Sequence, residues 1–317
     1  MRHRDVQELV ASADAGDRSA TARLISLVER GGAAAREVGR RTFSRGSAAY
    51  TIGITGSPGA GKSTLTDHLI AIVRQRDEPI GVLAIDPSSP FTGGAILGDR
   101  VRMQRHALDE GVFIRSMATR GHLGGLALAT PEAVRVLAAS GISLVMIETV
   151  GVGQVEVEVA GAADTSVVVV NPGWGDAIQA NKAGLLEIAD IFAINKADRP
   201  GAAETRRDLD NMLDMTTSMG EWRPPIVSTI ASRGEGTDSL WAEVEKHRAY
   251  LERSGELAER HRRRLIDELH EVLIRRVERQ VQQLEGGEVY QHLKHAVLSG
   301  ETDPYSAADE LLDKLGL

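Results

Sequence analysis

The stretch GSPGAGKS, residues 56–63, restricts the folds open to this chain more than any other. Gly56, Gly61, Lys62 and Ser63 complete the pattern G-x-x-x-x-G-K-[ST] without a mismatch. Ahead of it, YTIGIT (50–55) is β-rich and mostly apolar; behind it, STLTDHLIAIVRQ carries Leu65, Leu69, Ile72 and Val73 at helical spacing. Strand, glycine loop and helix is the context this motif requires. The glycines let backbone N–H groups turn inward around phosphate oxygens at a helix N-terminus. Gly56, Ser57, Pro58, Gly59, Ala60, Gly61, Lys62, Ser63 and Thr64 are therefore the predicted phosphate-binding segment. Lys62 is expected to reach the β- and γ-phosphates, and Ser63 to bind Mg²⁺.

Further apolar, β-type runs follow at IGVLAID (80–86), GVFIRS (111–116), ISLVMIE (142–148), TSVVVV (165–170), IFAIN (191–195) and PIVST (225–229). Continuous apolar strands separated by helical stretches predict an α/β fold with a mostly parallel sheet covered on both faces. With 317 residues, 42% of them hydrophobic, the chain can bury one such core and carry appendages. A formal net charge of -8 makes nucleic acid a poor partner. The arginine-rich RHRRR (260–264) reads as one solvated helix face, because acids alternate with it. The absence of cysteine excludes disulfides, thiolate metal sites and cysteine nucleophiles. No apolar run approaches the ~18 residues of a membrane span. The acidic, apolar-poor N-terminus fits neither a secretory signal nor a transit peptide, so a cytoplasmic protein with no membrane partner is expected.

Helical segments flank the predicted sheet. Residues 5 to about 45 read as short helices, with Leu24, Ile25, Leu27 and Val28 on one side of the second. Beyond Thr237 the β signal stops. Leu265, Leu269, Val272 or Leu273, Val277, Val281 and Leu284 then form an apolar stripe on a long charged helix. That helix either packs back on its own domain or forms an arm joining two subunits, as its coiled-coil-like seam favours. Asp303 and Pro304 are placed to start a last helix. The expected division is 1–46, an N-terminal helical extension; 47–245, the nucleotide-binding domain; and 246–317, a C-terminal helical arm.

The base is chosen elsewhere. INKAD places Asn195, Lys196 and Asp198 at the end of an apolar run, the guanine-reading pattern N-K-x-D. Asp198 is expected to accept from guanine N1–H and the exocyclic amine, a donor pair adenine lacks. Lys196 would lay its stem on the base, and Asn195 would tie the segment to the phosphate loop. Around Ile230, Ala231 and Ser232 a backbone N–H is expected at guanine O6, although Ile-Ala replaces the usual Ser-Ala there. ETVG (148–151) stands where small GTPases carry D-x-x-G. Gly151 would contact the γ-phosphate, and Glu148 would hold a Mg²⁺-bound water or orient the attacking one. Val152 follows the glycine, so the usual water-positioning glutamine is missing; slow hydrolysis that a partner accelerates is expected. Asp86 and Asp99 are two further candidate metal carboxylates, each equally placed to cap a turn or helix.

Together GSPGAGKST, AIDPSSPFTGGAILGDRVRM, RGHLGGL, ETVGVGQVEVEV, NPGWGDAIQANKAG and NKAD resemble the MeaB/MMAA family, the methylmalonyl-CoA mutase-associated GTPases formerly called ArgK or LAO/AO transport kinases. The resemblance covers essentially the whole chain. It implies a P-loop NTPase fold, a homodimer through the C-terminal helices, and GTP converted to GDP. The implied role is a chaperone that gates adenosylcobalamin loading into methylmalonyl-CoA mutase and protects or rescues that enzyme. Lys62, Ser63, Asp86, Asp99 and Glu148 match the family's phosphate and Mg²⁺ positions. Residues 121–126 resemble a second switch and residues 173–184 a third, in which Lys182 either reaches the nucleotide across the dimer or is an exposed helix lysine. Such a chaperone need not bind cobalamin itself. The competing readings are an ATP-dependent kinase of a transport system, a chaperone of another cobalamin-dependent acyl-CoA mutase, and a scaffold with a structural nucleotide.

Overall fold

The computed structural model describes residues 5–44, 49–86, 104–106, 108–118, 125–149, 161–173, 188–215, 221–284 and 287–315. Three short helices come first: α1 (Val6–Asp14), α2 (Arg18–Arg30) and α3 (Gly32–Thr42). Asp17 caps α2 by accepting from the N–H groups of Ser19 and Ala20. Leu9, Leu24, Ile25 and Val28 of these helices are buried in one cluster with Leu83 and Phe113 of the sheet. Charge fastens the same packing: Glu29 on α2 accepts from Arg115 at 2.5 Å, and Arg18 donates to the carbonyls of Asp109, Glu110 and Val112.

The central sheet has seven strands: β1 (Tyr50–Gly56), β2 (Ile80–Asp86), β3 (Val112–Ala118), β4 (Leu144–Thr149), β5 (Thr165–Val170), β6 (Ile191–Asn195) and β7 (Ile226–Thr229). Their order is β3-β2-β4-β1-β5-β6-β7, and every pair is parallel. All seven strands expected from the apolar runs are present, and the architecture is α/β. Alternate residues serve opposite faces. Ile52, Ile54, Val167 and Val169 pack with Leu65 and Leu69 of α4 (Lys62–Gln75). Val145 and Ile147 pack instead with the N-terminal helices and α5 (Gly125–Ala139). Val168, Phe192 and Ile194 face Leu209 and Leu213 of α6 (Ala202–Met215). Trp241 and Val244 of α7 (Thr237–Ser254) close the α4 face.

The chain divides into two compact units, Met1–Arg264 and Leu265–Leu317; the division falls within α8 (Glu256–Leu284). In the first unit, the root of α8 meets the amino edge of the sheet. Asp164, just before β5, accepts from Thr51 N–H at 2.7 Å, His261 Nε2 at 2.9 Å and Arg264. Asp190, just before β6, accepts from Ser166 N–H at 2.8 Å and from Arg260 at 2.8 Å. The expected solvated face at 260–264 is therefore corrected: Arg260 and Arg264 turn inward, at 27% and 22% exposure, because two buried carboxylates need cations.

In the second unit α8 continues into α9 (Glu288–Ser299) and α10 (Pro304–Leu315). Asp303 caps α10, accepting from Tyr305 N–H at 2.9 Å and Ser306 N–H at 3.1 Å, as its position before Pro304 predicts. Among the described residues no helix is long and apolar enough to cross a membrane.

Candidate functional site

The carboxyl ends of a parallel sheet are where its loops gather polar groups, and here β1, β4, β6 and β7 contribute. Gly56 ends β1 at φ +133°, and a Cβ there would lie 2.0 Å from the Val169 carbonyl. Only glycine fits that approach. Gly61, at φ +92°, leads into α4, and a Cβ there would meet Asn195 Nδ2 at 2.3 Å. Lys62 is 5% exposed and folds back over the loop. Its Nζ donates to Gly56 O at 2.7 Å and Ser57 O at 3.0 Å. An ammonium and the amino end of a fourteen-residue helix therefore converge on one loop, an arrangement that attracts phosphate.

One residue further, Ser63 Oγ donates to Glu148 Oε1 at 2.5 Å. Glu148 is 2% exposed and lies beside Ile54 and Ala84 in the sheet register. It shares strand parity with Leu144 and Met146, which face α4, and so points at the first turn of that helix. A hydroxyl and a carboxylate at this spot are hard oxygen donors of the kind Mg²⁺ takes. The donor set thus fits that ion. Next to it, Thr55 Oγ1 and Thr149 Oγ1 are 3.2 Å apart.

Asn195 and Lys196 lock the end of β6 to the phosphate loop. Asn195 Nδ2 donates to Ala60 O at 2.7 Å, while its Oδ1 accepts from Thr229 Oγ1 at 3.2 Å and Ala231 N–H at 3.0 Å. Lys196 adopts φ +58°, uncommon for a side chain this long, and its Nζ donates to Gly59 O at 2.5 Å. Asp198 stays 39% exposed, with the Arg233 guanidinium 3.8 Å away. Arg233 lies on the short 3₁₀ turn Ala231–Arg233 that follows β7.

The predicted residues Gly56, Ser57, Pro58, Gly59, Ala60, Gly61, Lys62, Ser63, Thr64, Glu148, Asn195, Lys196, Asp198, Ile230, Ala231 and Ser232 gather at this one edge, and Asp86 ends β2 there. Asp99, Gly151 and Lys182, and the second and third switch segments save for residues 125–126 and 173, lie outside the described residues. Two polar groups at the site carry no signal in the sequence. Asp67, one helical turn after Ser63 and 8% exposed, pairs with Arg105 and stands 3.0 Å from His106 Nε2. Arg233 is the other. The Ile230–Ala231–Ser232 segment after β7 points to a backbone N–H at the base, and nothing in its residue types marks the Arg233 side chain that follows.

Comparison with known proteins bears on this geometry. The family model described as "Methylmalonyl Co-A mutase-associated GTPase MeaB" matches residues 21–285. A putative GTPase of Pyrococcus abyssi is 50% identical over 98% of this chain and 97% of its own length. The mouse protein named "Methylmalonic aciduria type A homolog, mitochondrial" is 33% identical over 80% of this chain and 66% of its own length. A crystal structure described as a LAO/AO transport system kinase superposes with a TM-score of 0.72 at 23% identity, covering 100% of this chain and 99% of its own. That last likeness speaks for the fold alone.

Proposed function

The chain belongs to the methylmalonyl-CoA mutase-associated GTPase (MeaB) family, and from that premise we propose that it is a guanine-nucleotide-driven chaperone of methylmalonyl-CoA mutase. In this reading GTP binding and hydrolysis gate the loading of adenosylcobalamin into the mutase and protect or reactivate that enzyme. The chain binds no cobalamin itself and acts as a homodimer through its C-terminal helices.

The observation that carries the guanine part is the seating of Asn195 and Lys196. Both side chains bond to carbonyls of the phosphate loop, at Ala60 and Gly59, so base-reading and phosphate-binding segments form one rigid frame. Asp198 then presents two acceptors to N1–H and the exocyclic amine. Ala231 N–H is engaged by Asn195, which leaves Ser232 N–H as the backbone donor toward O6. Nothing in this frame favours an ATP-dependent kinase.

For hydrolysis, Lys62 releases Gly56 O and Ser57 O to bridge the β- and γ-phosphates. Ser63, Glu148, Asp86 and Asp99 would hold Mg²⁺, and Glu148 could instead orient the attacking water. Bound there, the ion neutralises charge on the β- and γ-oxygens. Gly151 donates to the γ-phosphate, and Lys182 assists once the mutase engages. The apolar side chains that α8 exposes, Leu269 at 57% and Leu273 at 50% among them, support the arm as the seat of a second copy.

The test is cofactor loading. Apo-mutase is mixed with adenosylcobalamin and this protein, with GTP, a non-hydrolysable GTP analogue or GDP, and loading is followed by cobalamin absorbance. Loading that depends on the nucleotide supports the proposal. Loading indifferent to the protein and to every nucleotide overturns the chaperone role.

A further inference from the structure

We propose that Arg233 is a specificity-determining residue of the base pocket, donating to O6 of the guanine whose N1–H and amine Asp198 accepts. The inference rests on the guanine reading of Asn195–Asp198 given above. Its starting point is a pair that stability does not explain. The Arg233 guanidinium stands 3.8 Å from Asp198 Oδ2 with the two side chains 59% and 39% exposed, and exposed pairs of this kind add little to folding.

The turn that carries Arg233 is built stiffly. Ile230 N–H donates to Glu235 O at 2.9 Å, and the turn closes through Gly234 at φ +72° and Gly236 at φ +77°. A Cβ on Gly236 would sit 2.2 Å from Ser228 O, and one on Gly234 would meet the His68 ring at 3.1 Å. The turn is therefore packed closely against β7 and α4. Glu235 Oε1 is a second carboxylate oxygen near the guanidinium, at 3.7 Å. The pairing with Asp198 places a cation beside the carboxylate that reads the base.

The chemistry of the base supplies the rest. Guanine carries its exocyclic amine, N1–H and O6 in sequence along one edge. A carboxylate that takes the two donors leaves O6, an acceptor, beside it. A guanidinium in contact range of that carboxylate is the donor this edge lacks, and arginine is the side chain that most often reads guanine acceptors. Adenine places an amine where O6 stands, so the same cation would meet a donor. With Ala231 N–H held by Asn195 at 3.0 Å, a side-chain donor at O6 adds to the Ser232 N–H assigned above.

The experiment is equilibrium binding of GDP, xanthosine diphosphate and ADP to the full chain and to R233A, R233K, D198N and the D198N/R233A double variant. R233A is expected to weaken GDP about tenfold, the scale of one charge-assisted hydrogen bond, with R233K recovering part of the loss. Xanthine keeps O6, so the arginine's contribution should persist when xanthosine diphosphate binds the D198N background. GDP binding that is unchanged or tighter in R233A overturns the inference, and so does a loss that disappears in D198N, because Arg233 would then act only through Asp198. Wild-type protein that does not prefer GDP to ADP, or a D198N variant with unaltered GDP affinity, instead brings down the guanine reading itself.

Discussion

Ser63 Oγ lies 2.5 Å from Glu148 Oε1, so the first turn of the phosphate-loop helix is bonded directly to the end of the strand that carries ETVG. Glu148→Gln keeps a hydrogen-bond acceptor for Ser63 and removes the charge. The expected result is a loss of roughly 10–100-fold in GTP turnover and in apparent Mg²⁺ affinity, the range seen when groups supporting a metal site are changed. GDP affinity in the presence of chelator should stay near wild type. A Mg²⁺ titration of turnover checks this; an unaltered titration curve removes Glu148 from the metal site.

Two loop glycines should behave differently although both have positive φ. At Gly59, with φ +73°, an added Cβ meets nothing within 4 Å, so Gly59→Ala pays only left-handed strain, about 1–2 kcal/mol. At Gly56 the added Cβ would stand 2.0 Å from the Val169 carbonyl, and backbone in the β1–β5 pair must move. Gly56→Ala is expected to lose more than about 4 kcal/mol or fail to fold. Thermal melts of the two variants, compared with wild type, test the contrast.

Acid should weaken the fold in two stages. His247 is fully buried; burial lowers its pKa, against the pull of Asp190. The unfolded chain then takes up a proton first as pH falls, so stability declines below the ordinary histidine value of about 6.5. Burial pushes the Asp164 carboxyl up, but the His261 hydrogen bond, the charges of Arg264 and His261 and the Thr51 N–H together hold it below the usual carboxylate range. Its contribution is complete above about pH 3.9 and is lost as pH falls through its folded value. Melting temperatures from pH 7.5 down to 5 should slope less steeply in His247→Asn, and an unchanged slope would assign the first stage to another group.

If the C-terminal arm seats a second copy, charges placed on its exposed apolar side chains should separate the copies. The variant Leu269→Glu/Leu273→Glu changes side chains that are 57% and 50% exposed, so its monomer should fold. Sedimentation equilibrium is expected to give a dimer for the wild type and a monomer for this variant. A monomeric wild type at micromolar concentration contradicts the arm's assigned role.

The fold was legible because its signals are local. Each strand is a short apolar run, as in TSVVVV and IFAIN, and the phosphate loop announces the order strand, loop, helix. The site was legible where residue type and spacing are set by backbone chemistry, as at Gly56, Gly61, Lys62 and Asn195. What escaped depends on distant pairing. Asp164 and Asp190 each follow an alanine and precede an apolar run, a repeated Ala-Asp signal, yet their partners Arg260, His261 and Arg264 lie about 70–100 residues away. A charged helix segment carries no mark of which of its faces meets a buried acid, and so 260–264 reads as solvated. Arg233 was obscured for a related reason: only the folded turn puts it beside Asp198.

The most direct measurement of the central claim is nucleotide turnover by the purified protein, with GTP and with ATP, in the absence and presence of methylmalonyl-CoA mutase from the same organism. The account predicts slow turnover of GTP alone, rising when the mutase is added. Turnover of ATP in preference to GTP would contradict the base-reading frame of Asn195, Lys196 and Asp198; GTP turnover indifferent to the mutase would contradict the proposed partnership.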